Sequence, residues 1–238
     1  MNTNNNNIAI PKSESWKMFD KISKHYDLLN RLLSFGIDKY WRKVLARLIS
    51  LKNTRNVLDL ASGTGDVLIT IAKNRPELAA GVGIDMSLKM LEIGTSKIEK
   101  LGLNKILSLS KGDANIIDFF DNTFENVTIA FGIRNVEDPL VVLKEMHRVS
   151  NSHAFILEFS LPKNKVIRKM HLYYLRHMVP FIGGIISAER KAYRYLNQTI
   201  EAFPYGEEFL KLMSEAKFKN CQAHPLLFGV ATIYVGEK

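Results

Sequence analysis

Apolar residues recur at three- and four-residue steps through Phe19, Ile22, Tyr26, Leu29, Leu32 and Leu33, the spacing of one buried helical face. The pattern predicts helix from Ser13 to about Ser50, divided by a turn at Ser34-Phe-Gly36, with a second helix around Trp41 to Leu48. No strand pattern precedes these helices, so they are an N-terminal addition to the rest of the chain. From Arg55 the rhythm changes to short apolar runs. Arg55 to Leu60, Ala79 to Ile84, Ile106 to Leu109, Asn126 to Ala130 and Ala154 to Leu157 read as strands. Helices fall between them, from Asp66 to Asn74 before Pro76, from Ser87 to Lys100 with Gly102 as a stop, and from Asp138 to Val149.

Strands alternating with helices imply right-handed crossovers and a mainly parallel, doubly wound α/β sheet. Ligands on such sheets bind beyond the carboxyl ends of the strands, so the loops after Leu60, Ile84, Leu109, Ala130 and Leu157 carry the functional question. From Pro162 to about Phe203 the pattern is helical again, a helix spans Gly206 to Ala216, and two strands close the chain at Asn220 to Leu227 and Gly229 to Val235. No repeat or linker divides the sequence. The expectation is a disordered tail over 1–12 and one domain over 13–238, with N-terminal helices at 13–50 and a helical lid at 162–203.

Composition adds limits. The chain has 238 residues, enough for a large core. Its one cysteine, Cys221, excludes an intrachain disulfide, reads as a small buried hydrophobe, and no Cys/His cluster has zinc spacing, so no metal is expected. The asparagine tract at the start lacks the basic and apolar regions of a signal peptide. The longest apolar run, Met178 to Ile186, is far short of the ~20 residues of a spanning helix. A cytoplasmic protein is expected. The net charge of +9 suggests an acidic partner. The surplus is concentrated in the lid, where Lys163, Lys165, Arg168, Lys169, Arg176, Arg190, Lys191 and Arg194 face Glu189 alone.

Asp59-Leu-Ala-Ser-Gly-Thr-Gly65 sits at the first strand-to-helix turn. Gly63 and Gly65 let a ligand approach the backbone, and Asp59 suits a cationic ligand. A dinucleotide loop wants a third glycine where this chain has Leu68, and an acid before the loop opposes a pyrophosphate. S-adenosylmethionine, with a sulfonium, an ammonium and no phosphate, fits better; a glycine turn without a ligand is the plain alternative. Asp85, with Met86 beside it, ends the second strand about where a ribose-binding acid is expected. A helix cap is its plain reading, a role Ser87 fills better. Asp113-Ala114 follows the third strand, placed to take an adenine amino group.

At Phe131-Gly-Ile-Arg-Asn-Val136 the chain resembles the C-methyltransferases of ubiquinone and menaquinone biosynthesis. Similar motifs stand at Tyr26 to Asn30, Ser34 to Ile37, Asp59 to Asp66, Asp121 to Phe124, Leu157 to Ser160, Tyr193 to Leu196 and Phe203-Pro204, so the likeness runs from about Phe19 to the end. The resemblance implies a seven-stranded class I methyltransferase fold with two antiparallel strands at the end. It also implies S-adenosylmethionine as cofactor, contacts to it from Thr64, Asp85, Asp113, Ala114 and Ala130, and a demethylated isoprenoid quinol as substrate. Ser62, Ser150 to His153, the missing acid over Ser187 to Glu189, and Tyr234 depart from the pattern. The Ser150 to His153 departure reads as a surface turn, and the last two bear on substrate closure.

Methylation at carbon needs a ring made electron-rich by loss of a hydroxyl proton. Arg134, always charged and only a donor, is expected to hold the oxyanion, with Asn135 orienting the ring. Tyr26 and Asp27 are expected to complete the pocket through a water that accepts the proton. The plain readings are a salt bridge from Arg134 to Glu137 or Asp138, and core packing for Tyr26. In the lid, Tyr173, Tyr174, Leu175, Phe181 and Ile182 interleave with cations. That pattern suits contact with an anionic membrane at its inner face, or an ordinary solvated lid. A homodimer is compatible with the sequence. Alternatives are a methyltransferase for another small molecule or RNA, though no nucleic-acid module is seen, and a non-catalytic cofactor-binding member of a quinone-biosynthesis complex.

Overall fold

The computed structural model describes residues 11–49, 55–187 and 190–238, without the side chains of 185–187, 190 and 191. The tail expected before Pro11 and positions 188 and 189 of the departure at Ser187 to Glu189 lie outside the described residues. Lys12, assigned to that tail, instead opens a 3-10 turn (Lys12–Glu14) that leads into the first helix.

Helices α1 (Ser15–Leu33) and α2 (Ile37–Leu48) meet at a tight turn where Gly36 takes a left-handed φ of 77°. Strand β1 (Asn56–Leu60) feeds α3 (Asp66–Asn74), and β2 (Ala80–Asp85) feeds α4 (Leu88–Lys100). Ser87 caps α4 by accepting from the Met90 N–H at 3.3 Å. Strands β3 (Leu107–Lys111) and β4 (Phe124–Ala130) come next, then α5 (Pro139–Val149), which Asp138 caps with Pro139 in the first turn.

Strand β5 runs from Ser150 to Phe159, so the polar segment Ser150 to His153 is strand and not a turn. Its first residues pair on both sides, Ser150 with Phe124 and His153 with both Asn126 and Glu237. Backbone pairing overrides the turn-like composition there. The lid consists of α6 (Lys165–Tyr173), a π-helical turn (Tyr174–Met178), α7 (Val179–Ser187) and α8 (Arg190–Ala202). Helix α9 (Glu207–Glu215), β6 (Lys219–Leu226) and β7 (Ala231–Glu237) complete the chain.

The strands form one seven-stranded sheet in the order β3-β2-β1-β4-β5-β7-β6. Strands β1 to β5 are parallel; β7 enters antiparallel beside β5, and β6 pairs antiparallel with β7. Only β7 therefore opposes the sheet, a refinement of the expected antiparallel end. On one face α5 and α9 bury Val142, Leu143, Met146, Phe209 and Met213 with Leu58 and Ile129. On the other, α2 and α3 bury Trp41, Leu45, Leu68 and Ile71 with Val57 and Phe155. A third cluster joins α1 to the lid through Leu29, Leu161, Leu175, Tyr193 and Tyr195. Full burial of each large apolar side chain contributes about 1.5–3 kcal/mol, so this third cluster suffices to hold α1 against the lid.

Candidate active site

Two cavities lie side by side at the carboxyl end of the sheet. The first, about 300 Å³, is walled by Ala61 and Gly63 after β1, Asp85 and Met86 at the end of β2, Gly112 to Asn115 after β3, and Ala130 to Gly132 after β4. Helix α1 roofs it with Trp16, Phe19 and Tyr26, and Lys12 and Glu137 stand at its edge. The floor is built by close backbone approach. A Cβ on Gly132 would lie 2.6 Å from that of Ala61, so only glycine lets the β1 and β4 loops touch. A Cβ on Gly63 would meet nothing within 4 Å, leaving open space above that backbone. Ala61 and Phe131 hold left-handed φ values of 48° and 56°, strain of the kind that collects at ligand sites.

Asp85 is aimed into this cavity by two backbone donors, Gly63 N–H to Oδ2 and Ser87 N–H to Oδ1, both at 2.8 Å. Asp113 is held similarly by the N–H of Asn115 at 2.8 Å and its side-chain amide at 2.7 Å. Asp59 lies behind the wall, 1% exposed, and accepts from the Thr128 hydroxyl at 2.6 Å. Its pKa is pushed up to about 7, chiefly by burial and further by the Asp85 charge, against the Thr128 hydrogen bond.

Of the residues expected at the cofactor, Gly63, Asp85, Met86, Asp113, Ala114 and Ala130 line the cavity; Asp59, Thr64 and Gly65 do not. Thr64 turns away to donate to Asp27 Oδ1 at 2.7 Å, and Gly65 packs on Leu109. Asp27 also accepts from Lys97 Nζ at 2.9 Å, and Lys97 pairs with Asp66. Burial would raise the Asp66 pKa, but the Arg42 and Lys97 charges together outweigh it and hold it low. Asp27 lines neither cavity, which corrects its expected place beside the substrate; its carboxylate ties α1 to the glycine loop.

The second cavity, about 250 Å³, is apolar and enclosed by α1, α2, α6 and α8. Phe19, Tyr26, Phe131 and Asn135 line both cavities and form the wall between them. Arg134 sits on the apolar side, 5% exposed. Its partner is Glu158 rather than Glu137 or Asp138: Nη1 donates to Glu158 Oε1 at 2.7 Å and to the Phe131 carbonyl at 2.6 Å. Glu158 is wholly buried; burial raises its pKa, with Arg134 pulling it back down. The Arg134 guanidinium lies 5.2 Å from the Phe159 ring, and its Nε has no hydrogen-bond partner. Asn135 Oδ1, Trp41 Nε1 and His171 Nε2 are likewise buried without partners around this cavity. Burial lowers the His171 pKa, leaving a neutral imidazole. Burial raises that of Tyr26, whose hydroxyl is therefore a donor at neutral pH and not a proton acceptor.

Sequence reasoning missed Glu158, although the Leu157 to Ser160 motif contains it, and it missed His171 and Trp41. It also singled out Tyr234, which lines neither cavity; that hydroxyl accepts from the Gly206 N–H at 2.8 Å within the core.

Residues 9–238 match the model of the ubiE/COQ5 methyltransferase family. The chain belongs to that family. A ubiquinone/menaquinone biosynthesis C-methyltransferase of Geotalea uraniireducens is 42% identical over 224 residues, covering 93% of this chain and 95% of the relative. A demethylmenaquinone methyltransferase of Porphyromonas gingivalis is 37% identical over 231 residues, covering 96% and 94%. Among solved structures, a SAM-dependent methyltransferase from Thermotoga maritima superposes with a TM-score of 0.64 at 16% identity, covering 94% of this chain and 99% of that one. PigF, solved with SAH, gives 0.64 at 17% identity and covers 94% and 62%. The chain is an S-adenosylmethionine-dependent methyltransferase with the class I fold. The first cavity fits that cofactor, since it offers two oriented carboxylates and open backbone at Gly63.

Proposed function

We propose that this methyltransferase acts on a ring carbon of a demethylated isoprenoid quinol, converting demethylmenaquinol to menaquinol, with the demethylated ubiquinol precursor as the second acceptor to test. The observation that carries the reading is the wall shared by the two cavities, with Arg134 on its apolar side. The names of the two relatives point the same way. When bound, S-adenosylmethionine supplies an electrophilic methyl group; Asp85 would hold its ribose, with Asp113 and Ala114 at the adenine.

The remaining work falls to side chains of the second cavity. Arg134 stabilises the phenolate formed when the quinol loses a proton, because it is permanently charged and its Nε is unpartnered. Glu158 holds the guanidinium in place. Asn135, which borders both cavities, orients the ring, while Phe19, Tyr26 and Phe131 exclude water from the line of transfer. His171, whose Nε2 is buried without a partner at this cavity, is placed to accept a hydrogen bond from the quinol hydroxyl. No described helix is long and apolar enough to cross a membrane; in this reading a membrane-dissolved substrate is met at the inner face.

The test is transfer of labelled methyl to reduced demethylmenaquinone and, separately, to the ubiquinone precursor. Label is expected on the naphthoquinol, and Arg134→Lys should lower kcat by about 10²–10³ with cofactor affinity unchanged. Absence of label on both rings defeats the substrate assignment; unchanged turnover by Arg134→Lys defeats the role of that residue.

A further inference from the structure

Around the mouth of the apolar cavity, three elements turn large apolar side chains outward. On α6, Val166, Met170 and Tyr173 stand at i, i+4 and i+7 and are 69%, 68% and 63% exposed. The α1–α2 turn presents Phe35 at 77%, and the β6–β7 turn presents Phe228 at 76%. These elements adjoin. The Phe35 ring lies 5.9 Å from that of Tyr174, and Gly229 packs against Pro162, just ahead of α6. Phe35 and Leu227 line the cavity itself.

Phe35 and Phe228 both adopt left-handed backbone, with φ of 52° and 58°. Such positions favour glycine or asparagine, so each turn holds its ring in water against both backbone preference and hydration. The surrounding charge has one sign. Lys163, Lys165, Arg168, Lys169 and Arg176 fall between Pro162 and Met178, which contains no acid. Arg176 is paired with Glu201, and Arg168 lies 5.8 Å from the Tyr205 ring. Lys163, Lys165 and Lys169 are exposed and have no ion-pair partner among the described residues.

We propose that the α6 stripe and the Phe35 and Phe228 turns form a docking face for an anionic lipid bilayer, seating the cavity mouth against the membrane. Apolar side chains ringed by unpaired lysines match a surface with anionic headgroups above acyl chains. Continuity with the cavity deepens the proposed function and rests on it: a tail dissolved in the bilayer enters the cavity without crossing water. Of the residues that suggested membrane contact in the sequence, Tyr173 and Phe181 face outward, whereas Leu175 is buried and the Tyr174 hydroxyl donates to the Leu33 carbonyl at 2.8 Å.

The test is sedimentation of the full chain with phosphatidylcholine vesicles containing about one third phosphatidylglycerol, and with phosphatidylcholine alone. The wild type should pellet with the anionic vesicles. Val166→Gln/Met170→Gln/Phe228→Asn, whose sites line neither cavity, should lower partition about tenfold or more at every salt concentration. Lys163→Gln/Lys165→Gln/Lys169→Gln should lower it chiefly at low salt. Phe228→Asn alone, which suits its φ, serves if the triple variant melts early.

Wild-type protein left in the supernatant overturns the proposal, as does unchanged partition of the apolar variants. Binding that vanishes with salt and ignores those variants would be charge adhesion and also overturns it. Methylation of a tail-less, water-soluble demethylated naphthoquinol should be equal in wild type and variants. If the wild type pellets but leaves that quinol unmethylated, the docking face stands and the substrate reading falls.

Discussion

Asp59, 1% exposed and with Oδ2 unpartnered, keeps its proton up to about pH 7, whereas an unfolded chain releases it near 3.8. The folded state therefore binds more protons than the unfolded state between those values, and stability of the cofactor-free protein falls as pH rises across them. Asp59→Asn should remove that slope and stabilise the protein above pH 7, by up to about 4 kcal/mol. Melting temperatures of both proteins from pH 4 to 8 check this; parallel curves would refute it. The Arg134–Glu158 pair is a second case. Glu158→Gln leaves a buried guanidinium uncompensated and should cost about 3–5 kcal/mol, while Arg134→Met/Glu158→Gln regains much of that but no activity. Urea titrations and turnover of the single and double variants decide it, and a Glu158→Gln protein as stable as wild type would contradict the account. Legibility differs at this scale. Asp85 and Asp113 could be read from their places at strand ends. Glu158 could not, because one position within a strand does not reveal which buried cation it meets.

Helix α1 joins the core through two carboxylates. Asp20 accepts from the Ser87 hydroxyl and, at 3.4 Å, from the Lys89 N–H, while Asp27 takes Thr64 and Lys97. Because this helix roofs the cofactor cavity, opening of the latches is expected to ease entry and release of the cofactor. Each half-exposed latch is worth up to about 1 kcal/mol, so Asp20→Asn/Asp27→Asn should raise the cofactor Kd by up to about thirtyfold and speed its release. Stopped-flow fluorescence and calorimetry read the two effects, and unaltered release would show that α1 is not the gate. The periodicity of α1 announced a helix, but its role was hidden, since the residues it latches lie far along the chain. Strand β5 was underread for the opposite reason: Ser150 to His153 carry turn-like composition, and only pairing with β4 and β7 makes them strand.

Across the whole molecule the loops after β1 to β4, the roof of α1 and the shared wall belong to one body, so cofactor binding should stabilise the entire fold. S-adenosylhomocysteine at about 100 times its Kd should add about 2.7 kcal/mol and raise Tm by about 5–11 °C. Thermal melts with and without it test this, and an unmoved Tm would mean the first cavity does not take the cofactor. The alternation of strands and helices made this architecture readable, since each crossover is local. The direction of β7 and the meeting of α1 with the lid depend on distant contacts and were not. The wall of Phe19, Tyr26, Phe131 and Asn135 has a consequence for protein engineering. A designer who recuts it for a wider ring will change the KM for the methyl donor as well. New acceptors are better sought by altering Leu29, Leu175 or Val179, which face the second compartment alone.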